Sequence, residues 1–418
     1  MYDRFIASSI LEALADTPVI LINGARQTGK STLCEAIIRH KDVSSKYQFH
    51  NAFVTLDDPT LLEAAKKDPL GFLYDNGPHI VIDEVQRVPE LFLPLKKFID
   101  EDRDNRRVIL TGSSNVMMMP NIADSLAGRM EIHSLWPLSQ GEIEGEPSAF
   151  LEVLQKEGQK FPYIKETRQQ TINKIKMGGY PVALTRSERR RNVWYKSYAD
   201  AVLQKDISQL ANIEGLNDLP NILGLISSRV GSTVNMSDIS RLSKIKNTTL
   251  KRYTTLLEHI FWLVPIPAWT KNVEGRIVKS PKYYINDSGL LYYLMQGYVP
   301  DIAENSIFGA VVENFVVMEL LKQLSWSFSG LSLYHFSMHS GSEVDIILED
   351  ASGGIYAIEV KSSSMVDNSA FKGIRFLSNK VGKKFKRGIV LYLGDQYASF
   401  GTNMQAVPIS ALWGTLEK

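Results

Sequence analysis

Residues Gly24, Ala25, Arg26, Gln27, Thr28, Gly29, Lys30 and Ser31 have the types and the spacing of a loop that wraps a triphosphate. Gly24 and Gly29 permit positive φ, so consecutive amide groups and the start of the following helix can face an anion. Lys30 is suited to reach β- and γ-phosphate oxygens, and the Ser31 hydroxyl to complete a Mg²⁺ shell. Arg26 and Gln27 fill the variable positions, and Thr32 follows as a further cofactor-binding position. The expected cofactors are ATP and Mg²⁺, although these residues do not separate ATP from GTP.

Two acids follow the apolar run 80–82. Asp83 is placed to hold Mg²⁺ and Glu84 to polarise the attacking water. A further apolar run, 107–110, leads into Thr111-Gly112-Ser113-Ser114, where Ser113 either senses the γ-phosphate or sits in a plain Gly-Ser turn. Arg129, after Leu126-Ala127-Gly128, either stabilises transition-state charge on a neighbouring copy's nucleotide or pairs with a surface acid. The first role requires a homo-oligomer.

A second set of candidates lies near the C-terminus. Glu313 falls in a stretch of helical periodicity, 308–321; Asp345 lies on the alternating segment 343–347, and Glu359-Val360-Lys361 ends another strand. Alternation puts Glu359 and Lys361 on one face. Asp345 and Glu359, with Glu313 helping, have the chemistry to hold one or two Mg²⁺ ions at a phosphodiester, and Lys361 to orient or deprotonate water. The alternative is that these polar residues end strands without cutting anything. His335 and His339 invite a zinc reading, but their surroundings look like strand and turn, so the pair need not converge.

The elements that must carry these residues alternate. A strand at 18–22 enters the phosphate loop and a helix leaves it at 32–39, while helical segments at 60–67 and 90–101 separate the later strands. This implies an α/β fold with a parallel sheet, helices on both faces, and nucleotide at the carboxyl ends of the strands. Residues 141–162, rich in Gly, Glu and Lys, read as a connection. Helical spacing resumes at 171–176 and 192–210, where Trp194, Tyr198 and Val202 share a core-facing stripe. Residues 237–242 and 248–257 then form a helix-turn-helix pattern, with wing strands at 261–266 and 282–285. Lys244, Lys246, Lys251 and Arg252 are placed to meet phosphates, although the same fold also serves as a packing module. A helix at 371–377 and a strand at 388–393 complete a β-α-β unit at the C-terminus.

The loop 24–31, Val81-Ile82-Asp83-Glu84-Val85-Gln86, Ile109-Leu110-Thr111-Gly112-Ser113-Ser114 and Ala127-Gly128-Arg129 resemble the AAA-type P-loop ATPase domain of a bacterial and archaeal family. That family carries a C-terminal domain of unknown function. Gly178-Gly179-Tyr180-Pro181, Trp194, Asp206-Ile207 and the segment from Glu313 onward extend the resemblance over nearly the whole chain, with Val182 standing where the family would have an acidic residue. The order helix acid, strand Asp and Glu-x-Lys resembles a restriction-endonuclease-like core. Together these readings divide the chain into an ATPase domain at 1–140, a linker and helical region at 141–230, a winged-helix-like domain at 231–300 and a restriction-endonuclease-like α/β domain at 301–418. The function they imply is ATP hydrolysis coupled to DNA binding or processing, or alternatively a nucleotide-dependent switch whose C-terminal domain does not cleave.

Composition limits the partners. The 418 residues carry 47 basic and 46 acidic side chains, so no overall field draws the chain to nucleic acid and any such contact must be local. Two basic patches are visible, one from Arg186 to Lys196 and one from Lys372 to Arg387. Each is either a solvated face or a nucleic-acid contact. The lone cysteine, Cys34, excludes an internal disulfide framework. No apolar stretch suits a bilayer and the N-terminal pattern is unlike a secretory leader, so a cytoplasmic location without membrane contact is expected.

Overall fold

Val19–Asn23 is buried along its whole length and forms strand β1, paired in parallel with two neighbours at once: Val19 lies opposite both Val108 and Met130. A strand buried on both faces needs apolar side chains at every position, which is how its sequence reads. The computed structural model describes residues 2–49, 53–115, 126–206, 219–233, 236–271, 276, 279–299, 301–338 and 341–416. It divides into two compact units, one of residues 4–136 with 257–261, the other of residues 1–3, 137–256 and 262–418. No helix among the described residues is long and apolar enough to cross a membrane.

In the first unit, β2 (Phe53–Thr55), β3 (His79–Asp83), β4 (Arg107–Gly112) and β5 (Met130–Ser134) join β1 in the order β2-β3-β4-β1-β5, parallel throughout. Helices α1 (Ile6–Asp16) and α2 (Lys30–Arg39) contact β1 and β4 respectively. Val19, Leu21, Ile80, Ile82, Val108 and Leu110 pack instead against α3 (Pro59–Lys67), α4 (Pro69–Asp75) and α5 (Phe92–Glu101). The alternation of side chains along each strand supplies both faces. Pro89 starts a short 3₁₀ turn ahead of α5, so the α-helix begins two residues later than the expected 90. Cys34 is buried on α2, filling space in the core.

The second unit begins where the sequence reads as a linker, and that segment is helical and packed. Ser139 and Glu142 form a capping box on α6 (Gln140–Glu144), while α7 (Phe150–Gln155) buries Phe150, Leu151, Val153 and Leu154. Phe150 stacks on Phe161 with centroids 4.8 Å apart. Arg387 donates to the carbonyls of Val153 at 2.9 Å and Gln159 at 2.7 Å. Apolar residues at helical spacing outweigh the polar composition here. The same contacts place Arg387 inside the fold, not on a surface offered to nucleic acid.

Helices α8 (Arg168–Met177) and α9 (Glu188–Ala201) flank the Gly178-Gly179-Tyr180-Pro181 motif, which is a buried clasp. A Cβ on Gly179 would lie 2.1 Å from the Leu138 carbonyl, and the Gly179 amide donates to Asp287 at 2.6 Å. Tyr195 donates to the other Asp287 oxygen at 2.9 Å; Tyr180 and Tyr198 join their hydroxyls at 3.0 Å. Trp194 stacks on Tyr198, and Tyr198 and Val202 are buried, as a core stripe requires. The expected helix continues only to Ala201, with a π-turn through Asp206; Ile207 lies outside the described residues.

Three helices follow, α10 (Leu219–Ser227), α11 (Met236–Ser243) and α12 (Asn247–His259), then an antiparallel pair, β6 (Leu263–Ile266) and β7 (Lys282–Ile285). Asp287 caps α13 (Ser288–Gln296), and α14 (Phe308–Leu324) leads to a six-stranded sheet ordered β12-β13-β11-β10-β9-β8. Its strands are β8 (Ser332–Ser337), β9 (Glu343–Glu349), β10 (Ile355–Lys361), β11 (Phe385–Tyr392), β12 (Ala398–Ser399) and β13 (Met404–Pro408). Strands β10 and β11 are parallel across α15 (Lys372–Val381), the expected β-α-β unit.

Candidate functional site

The phosphate loop owes its path to three residues at positive φ: Gly24 at 150°, Gln27 at 65° and Gly29 at 95°. Gly24 has a second constraint, because a Cβ there would lie 2.2 Å from the Leu135 carbonyl. Arg4 braces the loop from α1's approach, donating to the Thr28 carbonyl at 2.8 Å and the Trp136 carbonyl at 2.7 Å. Thr28 ties back to the Ala25 carbonyl at 2.9 Å. Lys30 is buried and donates to the carbonyls of Gly24 at 2.8 Å and Ala25 at 3.0 Å. Burial pushes its ammonium down to about 8, against the pull of Glu84 and Asp83.

The ends of β3 and β4 bring the acids to this loop. Ser31 donates to Asp83 Oδ1 at 3.1 Å, Thr55 to Oδ2 at 3.4 Å, and Thr111 also bonds the Asp83 carboxylate. A hydroxyl and a carboxylate this close form a hard oxygen donor set that fits Mg²⁺. Glu84 stands at φ 60°, a strained turn for a non-glycine residue, with its amide bonded to the Thr111 hydroxyl at 3.2 Å. Its carboxylate accepts from Ser113 at 2.9 Å and from Gln86, which also donates to Ser113 at 3.0 Å. Burial pushes the Glu84 acid up, but Lys30 and the bonds from Gln86 and Ser113 outweigh it, leaving the carboxyl below its ordinary value.

A second cluster forms in the other unit. Glu313 on α14 accepts from Lys282 at 3.1 Å and from Tyr284 at 2.6 Å, both carried by β7. The Lys282 ammonium also lies 3.8 Å from Asp345 Oδ1, while Asp345 Oδ2 accepts the Val360 amide at 2.8 Å. Lys361 donates to Glu359 at 2.8 Å, the same-face pair expected from alternation, and the other Glu359 oxygen is buried without a partner. Burial and the nearby Asp345 push Glu313 up to about 7 and Glu359 up to about 8. Gly231, at φ 73°, closes over the cluster: a Cβ there would lie 2.9 Å from Glu313 Oε2. Glu359 and Lys361 also line a cavity of about 1000 Å³ with Glu343, Ser363 and Lys372. Among the described residues no group of three or more His, Cys, Asp or Glu side chains is placed to hold a metal ion.

Comparison with known proteins gives three family matches along the chain. Residues 16–144 match the family described as an AAA domain, while 168–298 and 308–412 each match a domain of unknown function. Residues 16–144 are an AAA-type ATPase domain. The chain is 26% identical over 417 residues to an uncharacterized protein of Mycobacterium tuberculosis, covering 99% of this chain and 85% of that one. An uncharacterized protein of Haemophilus influenzae is 23% identical over 330 residues, 74% of this chain and 76% of the other. Among solved structures, C. elegans PCH-2 aligns at 17% identity with a TM-score of 0.25, over 37% of this chain and 46% of that one. A STAND ATPase with a tetratricopeptide repeat sensor from Pyrococcus horikoshii aligns at 12% identity and 0.22, over 75% and 45%. Scores this low decide nothing about the arrangement of the chain.

Within the AAA-type domain, the sequence candidates Gly24 to Thr32, Asp83, Glu84 and Ser113 share one neighbourhood, whereas Arg129 is engaged with α5. Its guanidinium grips Asp100 with two bonds, at 2.5 and 2.9 Å. Gln86 and Arg4 escaped sequence reasoning, although Gln86 stands two residues beyond Glu84. Lys282 and Tyr284 escaped it too, since they read as wing-strand residues. His335 is buried with its Nε2 3.3 Å from the Ser280 carbonyl; His339 lies outside the described residues. In the first basic patch Arg191 bonds the carbonyls of Ala183 and Arg186, Lys196 pairs with Asp200, and Arg189 and Arg190 are exposed.

Proposed function

We propose that this protein hydrolyses ATP with Mg²⁺. The observation that carries the reading is the Ser31–Asp83 bond of 3.1 Å beside buried Lys30, with Glu84 held by Ser113 and Gln86 a few bonds away. When bound, Mg²⁺ would supply positive charge that offsets the charge of the phosphates. Ser31 and Asp83 would hold it, the loop amides of residues 24–32 would bind the phosphates, and Lys30 would turn from its carbonyl partners to the phosphate oxygens. Glu84, kept ionised at neutral pH, would accept the proton of the attacking water, and Ser113 with Gln86 fixes where its carboxylate points. Arg129 would act on a neighbouring copy's nucleotide only after releasing Asp100, so its role depends on a homo-oligomer.

Phosphate release measured with Mg²⁺-ATP tests this. Lys30→Ala should abolish turnover, and Glu84→Gln should lower it by about 10²- to 10⁴-fold while ATP binding persists. Turnover surviving in Lys30→Ala dismisses the assignment.

The second unit is the output arm of this ATPase in our reading, engaging DNA through a winged-helix-like element, α11 to β7, and a restriction-endonuclease-like core around Glu313, Asp345, Glu359 and Lys361. The exposed Lys244, Lys246, Lys251 and Arg252 on and before α12 support it. Duplex binding that weakens with salt and is lost in Lys251→Ala/Arg252→Ala would uphold the reading, and unchanged binding would remove it. The rival reading keeps the ATPase as a switch and the C-terminal domain as a partner-binding module. It is favoured by the number of acids already neutralised inside the chain.

A further inference from the structure

The acid order Glu313, Asp345, Glu359 with Lys361 implies a divalent cation in the C-terminal centre, and the contacts these side chains make argue against one. A Mg²⁺ ion needs several oxygen ligands turned toward one point at short range. Here the side chain of Lys282 reaches from β7 onto two of these acids, 3.1 Å from Glu313 and 3.8 Å from Asp345. Asp345 spends its second oxygen on the Val360 amide, Glu359 spends one of its own on Lys361, and Tyr284 takes a further contact on Glu313. The Lys282 side chain is 4% exposed, so this ammonium is enclosed with the acids and is not a solvent-facing neighbour of them.

We propose that Lys282 is the resident cation of the C-terminal centre, standing where a divalent metal ion would have to sit. An ammonium among buried carboxylates supplies the charge that a metal would otherwise supply, and three donors in place of a coordination sphere. Two acids on separate elements, α14 and β9, are thereby joined to the hairpin strand β7 by one side chain. Although one Glu359 oxygen stays without a partner beside the cavity, each acid already has an ammonium on it, Lys282 on Glu313 and Asp345 and Lys361 on Glu359, so the centre neither loads Mg²⁺ nor cuts a phosphodiester by metal-assisted attack. The inference goes beyond the ATPase reading and does not depend on it.

The test uses the full chain without nucleotide, titrated with Mn²⁺ and followed by the electron paramagnetic resonance of the free ion. Wild-type protein and Asp345→Asn should take up the same amount of Mn²⁺, because no ion sits at that residue. Lys282→Met, which keeps the length of the stem and removes the charge, should bind one further Mn²⁺ per chain. That extra ion should vanish in Lys282→Met/Asp345→Asn and should raise the melting temperature of Lys282→Met alone. A wild-type Mn²⁺ site that Asp345→Asn or Glu359→Gln abolishes overturns the proposal. So does a folded Lys282→Met that gains no ion. Should Lys282→Met not fold, the comparison of wild type with Asp345→Asn and Glu359→Gln still decides. Phosphate release from ATP, assayed on the same preparations, reports separately on the ATPase reading.

Discussion

The phosphate-loop centre and the C-terminal acid centre are built from nearly the same parts, a buried lysine beside carboxylates at strand ends, and they arrange them in opposite ways. Lys30 turns its ammonium onto the neutral carbonyls of Gly24 and Ala25. Asp83 is then left to hydroxyls from Ser31, Thr55 and Thr111, donors that an incoming cation can displace or share. Lys282 instead lies on Glu313 and Asp345, and Lys361 on Glu359. The first centre keeps an unspent negative charge, while the second has largely spent its own. What satisfies an acid decides whether the site awaits a cation, and the inventory of residues alone does not say.

The contrast is broken most directly by one substitution at each centre. Asp83→Asn should lose at least about 10³-fold in ATP turnover, since the Mg²⁺ ligand is gone, yet change unfolding free energy by no more than about 1 kcal/mol because hydroxyl partners accommodate an amide. Lys282→Met should destabilise its unit by about 3–5 kcal/mol in urea unfolding, because two buried carboxylates lose their cation. A reversed pattern, with stability tied to Asp83 and not to Lys282, would mean that the two centres had been assigned the wrong way round.

Much of the first centre was legible because its signals are local. The glycines, Lys30 and Ser31 fall within one short loop, and the apolar strand before Asp83-Glu84 announces where the acids stand. The parallel sheet followed from apolar runs alternating with helices, and all of its strands pair in parallel. The second centre was legible only by half. Glu313, Asp345 and Glu359 were visible as acids on a helix and on strands, but Lys282 and Tyr284 arrive from β7, whose pattern reads only as a wing strand. The segment 141–162 misled because its Gly, Glu and Lys conceal Phe150, Leu151, Val153 and Leu154 at helical spacing.

The Gly178-Gly179-Tyr180-Pro181 turn lacked a role in the sequence because its partners, Leu138 and Asp287, lie far along the chain. Its role sharpens the comparison, since a glycine required by close packing outside the nucleotide site should matter for folding alone. Gly179→Ala would force a Cβ onto the Leu138 carbonyl and should cost roughly 3 kcal/mol in urea unfolding. A variant within experimental error of wild type would mean that the turn relaxes freely.

The smallest expected effect concerns acid stability and belongs to the second centre, where His335 is buried near Lys282. His335 is 1% exposed; burial pushes its imidazole down to about 4, with the charge of Lys282 adding to the shift. Its unfolded value is near 6.5, so as pH falls below 6.5 the unfolded chain takes up a proton that the folded chain refuses, and stability drops until about pH 4. Between pH 6.5 and 5 this amounts to about 2 kcal/mol. Glu313 and Glu359, raised to about 7 and about 8, tilt the profile the other way, because the folded state holds their protons more tightly. The difference between wild type and His335→Gln therefore isolates the imidazole: glutamine can still donate to the Ser280 carbonyl but does not titrate. Urea unfolding across pH 7 to 5 should show the variant losing less stability than wild type on the acid side. Parallel curves would mean that His335 accepts its proton without hindrance and that burial does not hold the imidazole neutral.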